Sequence, residues 1–235
     1  MFSSAALPTA TAYADRLATD GVVRGLIGPR EAPRLWDRHL LNCAVLAELV
    51  PQDASLVDIG SGAGLPGLVL AIARPDVQVT LVEPLLRRTT FLSEVVDDLS
   101  LGNVEVVRGR ADQLHGERTF DVVTSRAVAP LERLLDWSMP LVSPTGALVA
   151  MKGSSVLEEV EAAREALDRW RCAEPEVSVL GEGVLSSTTV ALRVVWAEPT
   201  QVSWPLAPKS ARMSAPQSPG RSRRKPRRKQ RRQDT

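Results

Sequence analysis

Cysteine is nearly missing from this chain: Cys43 and Cys172 are the only two in 235 residues. They make neither a metal-ligand spacing nor a disulfide framework, which argues against a disulfide-stapled secreted domain and sets the expectation of no metal site. Long apolar runs are missing as well. No stretch approaches the roughly 18 uninterrupted apolar residues of a membrane span, and Met1-Phe2-Ser3-Ser4-Ala5-Ala6 lacks the basic start and apolar centre of a signal peptide. There is no Gly-Lys-Ser/Thr run, which excludes a P-loop. A cytoplasmic protein without membrane contact is expected. The 44% hydrophobic content and mean hydropathy of -0.05 are ordinary for a globular chain with one core.

What the chain does have is charge placed unevenly. Of its 29 Lys and Arg, 11 lie in 209–235 beside a single acid, Asp234, leaving 18 bases against 27 acids before them. A net +1 thus hides an acidic body and a strongly basic end, the asymmetry expected of a chain with a polyanionic partner. Residues 200–235, rich in Pro, Ser and Arg without apolar period, are predicted to be a disordered tail. Its Arg223, Arg224, Lys225, Arg227 and Arg228 would neutralise phosphates without reading sequence, since no aromatic residue interleaves with them for base stacking.

Residues 1–50 alternate apolar and polar residues at helical spacing, broken at Gly28-Pro29 and Pro33, and predict a cap of two or three helices. Over 51–199 the rhythm changes to strand and helix in turn. Strands are predicted at 55–58, 77–82, 104–108, 120–125 and 147–151, with helices from Pro66 to Ala73, Arg87 to Leu99, Leu131 to Trp137 and Val156 to Trp170. Repeated strand–helix units imply parallel strands with helices on both faces, because right-handed crossovers leave little else possible. Two closely spaced late strands, 177–180 and 188–196, suggest an antiparallel end to the sheet. The fold class is therefore α/β, doubly wound and Rossmann-like.

Asp58-Ile59-Gly60-Ser61-Gly62-Ala63-Gly64 lies between the first strand and its helix. Gly60, Gly62 and Gly64 carry no side chains to block a ligand's approach to the backbone. Asp-x-Gly-x-Gly-x-Gly is the pattern of S-adenosyl-L-methionine (AdoMet) sites, whereas a dinucleotide fold wants Gly-x-Gly-x-x-Gly. Gly62 to Gly67 matches the latter too, but with a proline inside the glycine turn and Asp58 unexplained. Glu83, ending the second strand, is placed to accept both ribose hydroxyl hydrogens of a nucleoside. Ala111 and Asp112, just past the third strand, are placed near its adenine.

From about Trp36 to Gly153 the chain resembles the RsmG (GidB) family of 16S rRNA guanine-N7 methyltransferases. The resemblance rests on Arg38-His39-Leu40-Leu41-Asn42, the loop with its Leu65-Pro66-Gly67 ending, Arg87-Arg88 with Phe91-Leu92, Thr124-Ser125-Arg126-Ala127, and Met151-Lys152-Gly153. It implies a class I methyltransferase fold with a seven-stranded, mostly parallel sheet and an antiparallel final strand. It also implies AdoMet as cofactor, bound through Gly60, Leu65, Ala111, Asp112 and Arg126, and 16S rRNA or the small ribosomal subunit as partner of a monomeric enzyme. Many relatives carry Asp-Ser where this chain has Asn42-Cys43.

Guanine N7 already exposes a lone pair, so no general base is required. This agrees with the lack of an Asn/Asp-Pro-Pro-aromatic motif after the fourth strand and of a nucleophilic cysteine motif. Arg126 and Lys152, at the carboxyl ends of two strands, are expected to orient cofactor, guanine O6 or phosphate. Arg38 and His39 in the cap are expected to contact RNA. Other readings stay open at this point: a methyltransferase acting on a small molecule or protein, an RNA-binding assembly factor that senses AdoMet, and a dehydrogenase.

Overall fold

A computed structural model of the protein describes residues 1–204. One sheet of seven strands is built from β1 (Ser55–Ile59), β2 (Gln78–Glu83), β3 (Val104–Arg108), β4 (Phe120–Arg126), β5 (Val142–Lys152), β6 (Glu176–Leu180) and β7 (Thr189–Val194). Its order is β3-β2-β1-β4-β5-β7-β6, and only β7 runs antiparallel to its neighbours. The helices are α1 (Leu7–Arg16), α2 (Leu41–Ala44), α3 (Gly67–Ala73), α4 (Leu86–Asp98), α5 (Leu131–Ser138), α6 (Val156–Ala162) and α7 (Arg164–Trp170). This is the expected doubly wound class with its antiparallel final strand.

Strand periodicity sorts the side chains into two cores. Leu56, Leu81, Val122 and Val149 face one side with α3, α4 and the amino-terminal helices, whose Ala10, Tyr13, Leu17 and Leu40 are buried in the same core. Val57, Ile59, Val82, Val123 and Leu148 face the other, against α5, α6 and α7. Strands buried on both faces read as near-continuous apolar runs, which is why β1, β2 and β4 stand out in the sequence. The cap therefore shares the sheet's core and has no separate one.

Two expectations are corrected. β5 starts at Val142, because Val142 pairs with Phe120 across a register irregularity before Ala147 pairs with Val122. A Cβ on Gly146 would come within 2.7 Å of the Asp121 carbonyl oxygen, so this glycine serves close strand approach and not a turn. The single helix expected over 156–170 is interrupted at Ala163, whose N–H is shared between the carbonyls of Glu159 and Val160. In the cap, α1 continues into a π-helical turn at Leu17–Gly21, and a second π turn at Trp36–Leu40 leads into α2. Arg223, Arg224, Lys225, Arg227 and Arg228 lie outside the described residues. No helix among the described residues is long and apolar enough to cross a membrane.

Candidate active site

The strand order reverses between β1 and β4, and the crevice at their carboxyl ends is where an open α/β sheet receives ligands. Two cavities open there. The first, about 400 Å³, is formed by Ile59 and Gly60 after β1, Val82 and Pro84 around the end of β2, Gly109 to Asp112 after β3, and Arg133 and Trp137 on α5. The second, about 690 Å³, takes Ser125 to Ala127 from β4, Met151 to Gly153 from β5, Arg38 from the cap and Glu159 from α6. Val128 lines both and is the partition between them. Ala127 before it holds φ +53°, a left-handed conformation that costs a residue with a Cβ on the order of 1 kcal/mol.

The glycine loop is held from below. Asp58 is fully buried, and its Oδ2 accepts the Gly67 N–H at 3.0 Å. A Cβ on Gly67 would sit 2.4 Å from Leu81 Cδ2 and 2.8 Å from that carboxylate oxygen, so only glycine permits this bond. Asp58 Oδ1 is buried with no hydrogen-bond partner among the described residues. Burial pushes its pKa up to about 7, against the opposing pull of the Gly67 N–H and the Arg126 charge. Gly60 has φ +71° and faces Val128, whose Cγ2 would lie 3.0 Å from an added Cβ. Gly64 has φ +100° and would clash with Leu68 and the Tyr13 hydroxyl.

Tyr13 was not foreseen as a site residue. It is the only tyrosine in the chain, and its buried hydroxyl donates to the Ala63 carbonyl at 2.7 Å, tying α1 to the loop. Periodicity marks Tyr13 as a core position but says nothing of this partner, 50 residues on.

Glu83 is buried. Its Oε2 accepts the Gly62 N–H at 3.0 Å and an Arg88 N–H at 3.3 Å, while Oε1 accepts the Leu85 N–H at 3.0 Å. A carboxylate offers about four acceptor positions, so three are already taken. One acceptor position is left for a ligand hydroxyl beside these three bonds. Gly60, Ala111 and Asp112 line the first cavity, whereas Leu65, Gly62 and Gly64 shape the loop behind it and line neither.

In the second cavity the expected free cations are paired. Lys152 Nζ donates to Glu159 Oε2 at 2.7 Å and to the Ala129 carbonyl at 3.3 Å, with 7% of its side chain exposed. It joins β5, α6 and the loop after β4 in the lining of the second cavity. His39 also has both ring nitrogens engaged: Nε2 lies 2.9 Å from Glu31 Oε2, and Nδ1 lies 2.9 Å from Arg126 Nη1. Arg38 lines the cavity and is half-exposed, in a long ion pair with Glu31 at 3.4 Å. Cys43 beneath Arg126 is buried and its thiol is pushed up to about 12, so it is no nucleophile. No group of three metal-ligating side chains occurs among the described residues.

A family model described as GidB, rRNA small subunit methyltransferase G, matches residues 6–184. The chain is 67% identical over 207 residues to the ribosomal RNA small subunit methyltransferase G of Nocardioides sp., covering 88% of this chain and 83% of that one. It is 54% identical to the protein of the same name from Salinispora tropica, covering 88% of each. Among solved structures, M. jannaschii TYW2 in complex with AdoMet superposes with a TM-score of 0.53 at 15% identity, over 66% of this chain and 74% of that one, a likeness of fold. With the loop, the strand order and the paired cavities in place, the chain belongs to the GidB family of rRNA small subunit methyltransferases G.

Proposed function

We propose that the protein transfers the methyl group of AdoMet to N7 of a guanine in the decoding-region loop of 16S rRNA. The observation that carries this reading is the pair of cavities at the sheet's switch point, with Val128 in the lining of both, in a chain of this family. The residues present suit the cofactor. Asp58 Oδ1 is a buried acceptor left for a cation such as the methionine ammonium, and Gly60 leaves room beside Val128. When bound, AdoMet supplies an electrophilic methyl on sulfonium.

Glu83 would accept one ribose hydroxyl, and Ala111 and Asp112 would meet the adenine at the rim of the first cavity. Arg126, at the carboxyl end of β4, would orient the guanine by donating to O6, a charge-assisted bond that leaves N7 free. No proton has to leave N7 before it attacks, so the cavities need only align the reactants and exclude water, effects worth several kcal/mol. The rRNA substrate supports a cytoplasmic location. The basic tail would add salt-sensitive attraction to phosphate.

The test is incubation of unmethylated small subunits and naked 16S rRNA with methyl-labelled AdoMet, followed by mapping of the label. Label at guanine N7 in the decoding-region loop is expected. Label on protein or small molecules alone, or AdoMet binding without transfer, would overturn the proposal. Arg126→Ala is expected to lower kcat/KM for rRNA by about 10-fold to 100-fold, the value of a charged hydrogen bond.

A further inference from the structure

Arg126 is the one guanidinium that β4 delivers to the acceptor cavity, and what aims it comes from a distant part of the chain. His39 Nδ1 lies 2.9 Å from Arg126 Nη1, and His39 Nε2 lies 2.9 Å from Glu31 Oε2. A guanidinium has no acceptor and always donates, so His39 Nδ1 must carry the lone pair and Nε2 the proton, which it donates to Glu31. The ring is therefore neutral, with one tautomer fixed from both sides. Its side chain is 15% exposed, shielded from solvent exchange that would blur this geometry.

We infer that His39, oriented by Glu31, is the positioning residue for Arg126. This rests on the role given to Arg126 under the proposed function. A neutral acceptor does something a carboxylate at the same place could not: it fixes one N–H of the guanidinium while leaving its charge uncancelled and its other donors free for the base. Glu31 stays one ring away, close enough to hold the imidazole but not to neutralise the arginine. Cys43 Sγ, 3.9 Å from the same Nη1, and Met151 Sδ behind it close the remaining side with soft, weakly polar atoms.

The arrangement has a pH consequence. Protonated His39 would present a second donor and a second positive charge to Arg126, so the tether holds only while the ring is neutral. The groups facing the ring are Arg126 from β4, Glu31 and Arg38 from the cap, with Cys43 against the guanidinium. Burial and the two arginines favour the neutral ring, and Glu31 opposes them.

The experiment measures kcat/KM for small-subunit methylation with His39→Leu, His39→Asn, Arg126→Ala and the double variant His39→Leu/Arg126→Ala. At about pH 8, His39→Leu should lose about tenfold, and this loss should vanish in the Arg126→Ala background. His39→Asn places an amide oxygen near the position of Nδ1 and should recover to within about threefold. Asparagine does not titrate, so the ratio of wild type to His39→Asn should stay level while the ring is neutral and fall only where His39 gains its proton, at a pH below that of an ordinary histidine. Other titrating groups act on both proteins and cancel in this ratio. An equal His39→Leu loss with and without Arg126, or no recovery in His39→Asn, would overturn the positioning role. Full activity in Arg126→Ala would instead remove the role of Arg126 itself. If His39→Leu does not fold, His39→Phe replaces it in the same double-variant cycle with Arg126→Ala.

Discussion

Lowering the pH should weaken AdoMet binding through Asp58, and Asp58→Asn should abolish that dependence. The carboxyl is fully buried, with one oxygen occupied by Gly67 and the other unpartnered, and its pKa is raised to about 7. The raised value means that the empty protein favours the neutral acid: stability from this group is present below about pH 4 and is lost as pH rises through about 7, on the order of 4 kcal/mol in all. A bound ammonium reverses that preference and requires the carboxylate. At pH 7 about half of the empty protein already carries it, and at pH 5.5 only about one molecule in thirty does. Affinity should therefore fall by about an order of magnitude between these two values, or ~1–2 kcal/mol. Calorimetric titration in buffers of different ionisation enthalpy measures both the dissociation constant and the protons exchanged. Release of about one proton per cofactor from Asp58 is expected at pH 5.5, and about half of one at pH 7. The amino group of the ligand itself titrates near ~8 and does so equally with Asp58→Asn, so the difference between the two proteins isolates this side chain. A wild-type profile that tracks that of Asp58→Asn over this range would refute the reasoning.

Three further outcomes follow from the packing. Gly64→Ala meets Leu68 Cδ1 at 2.4 Å from a backbone at φ +100°, and should destabilise the protein by about 2–4 kcal/mol in denaturant melts and weaken AdoMet binding. Tyr13→Phe strands the Ala63 carbonyl and should cost about 1–2 kcal/mol, with a matching fall in AdoMet affinity that a loop independent of α1 would not show. Lys152→Met removes one partner of a largely buried ion pair and should lower stability by about 2–4 kcal/mol, while Lys152→Met/Glu159→Gln should recover part of it in the same melts.

The sheet was legible because its central strands are buried on both faces, so Leu56-Val57, Val79 to Val82 and Val122-Val123 appear as apolar runs between turn residues. β5 was legible only from Ala147, since Pro144 and Gly146 look like punctuation although the strand already meets β4 at Val142. The π turns of the cap were equally invisible, because apolar spacing does not separate a π turn from an α turn. At the site, the glycines, Asp58, Glu83 and Arg126 could be named from motif and strand end. Their partners could not: Arg126 meets a histidine 87 positions away and Tyr13 a carbonyl 50 away, while Lys152 is neutralised by an acid across a turn. Motifs report which atoms a ligand needs, and pairing depends on which distant atoms reach them first.

The bond from Tyr13 to the glycine loop gives the amino terminus an unusual standing. Helix α1 contributes no group to either cavity, yet it inherits part of any free energy released when the loop is filled. Its amides should exchange with deuterium more slowly once AdoMet is present, although the ligand never touches them. Trimming the first fifteen residues to tidy an expression clone would remove a brace of the binding site, and a bulky fusion at Met1 would load it. A fluorophore near residue 7 would, by the same coupling, report cofactor occupancy from outside the pocket.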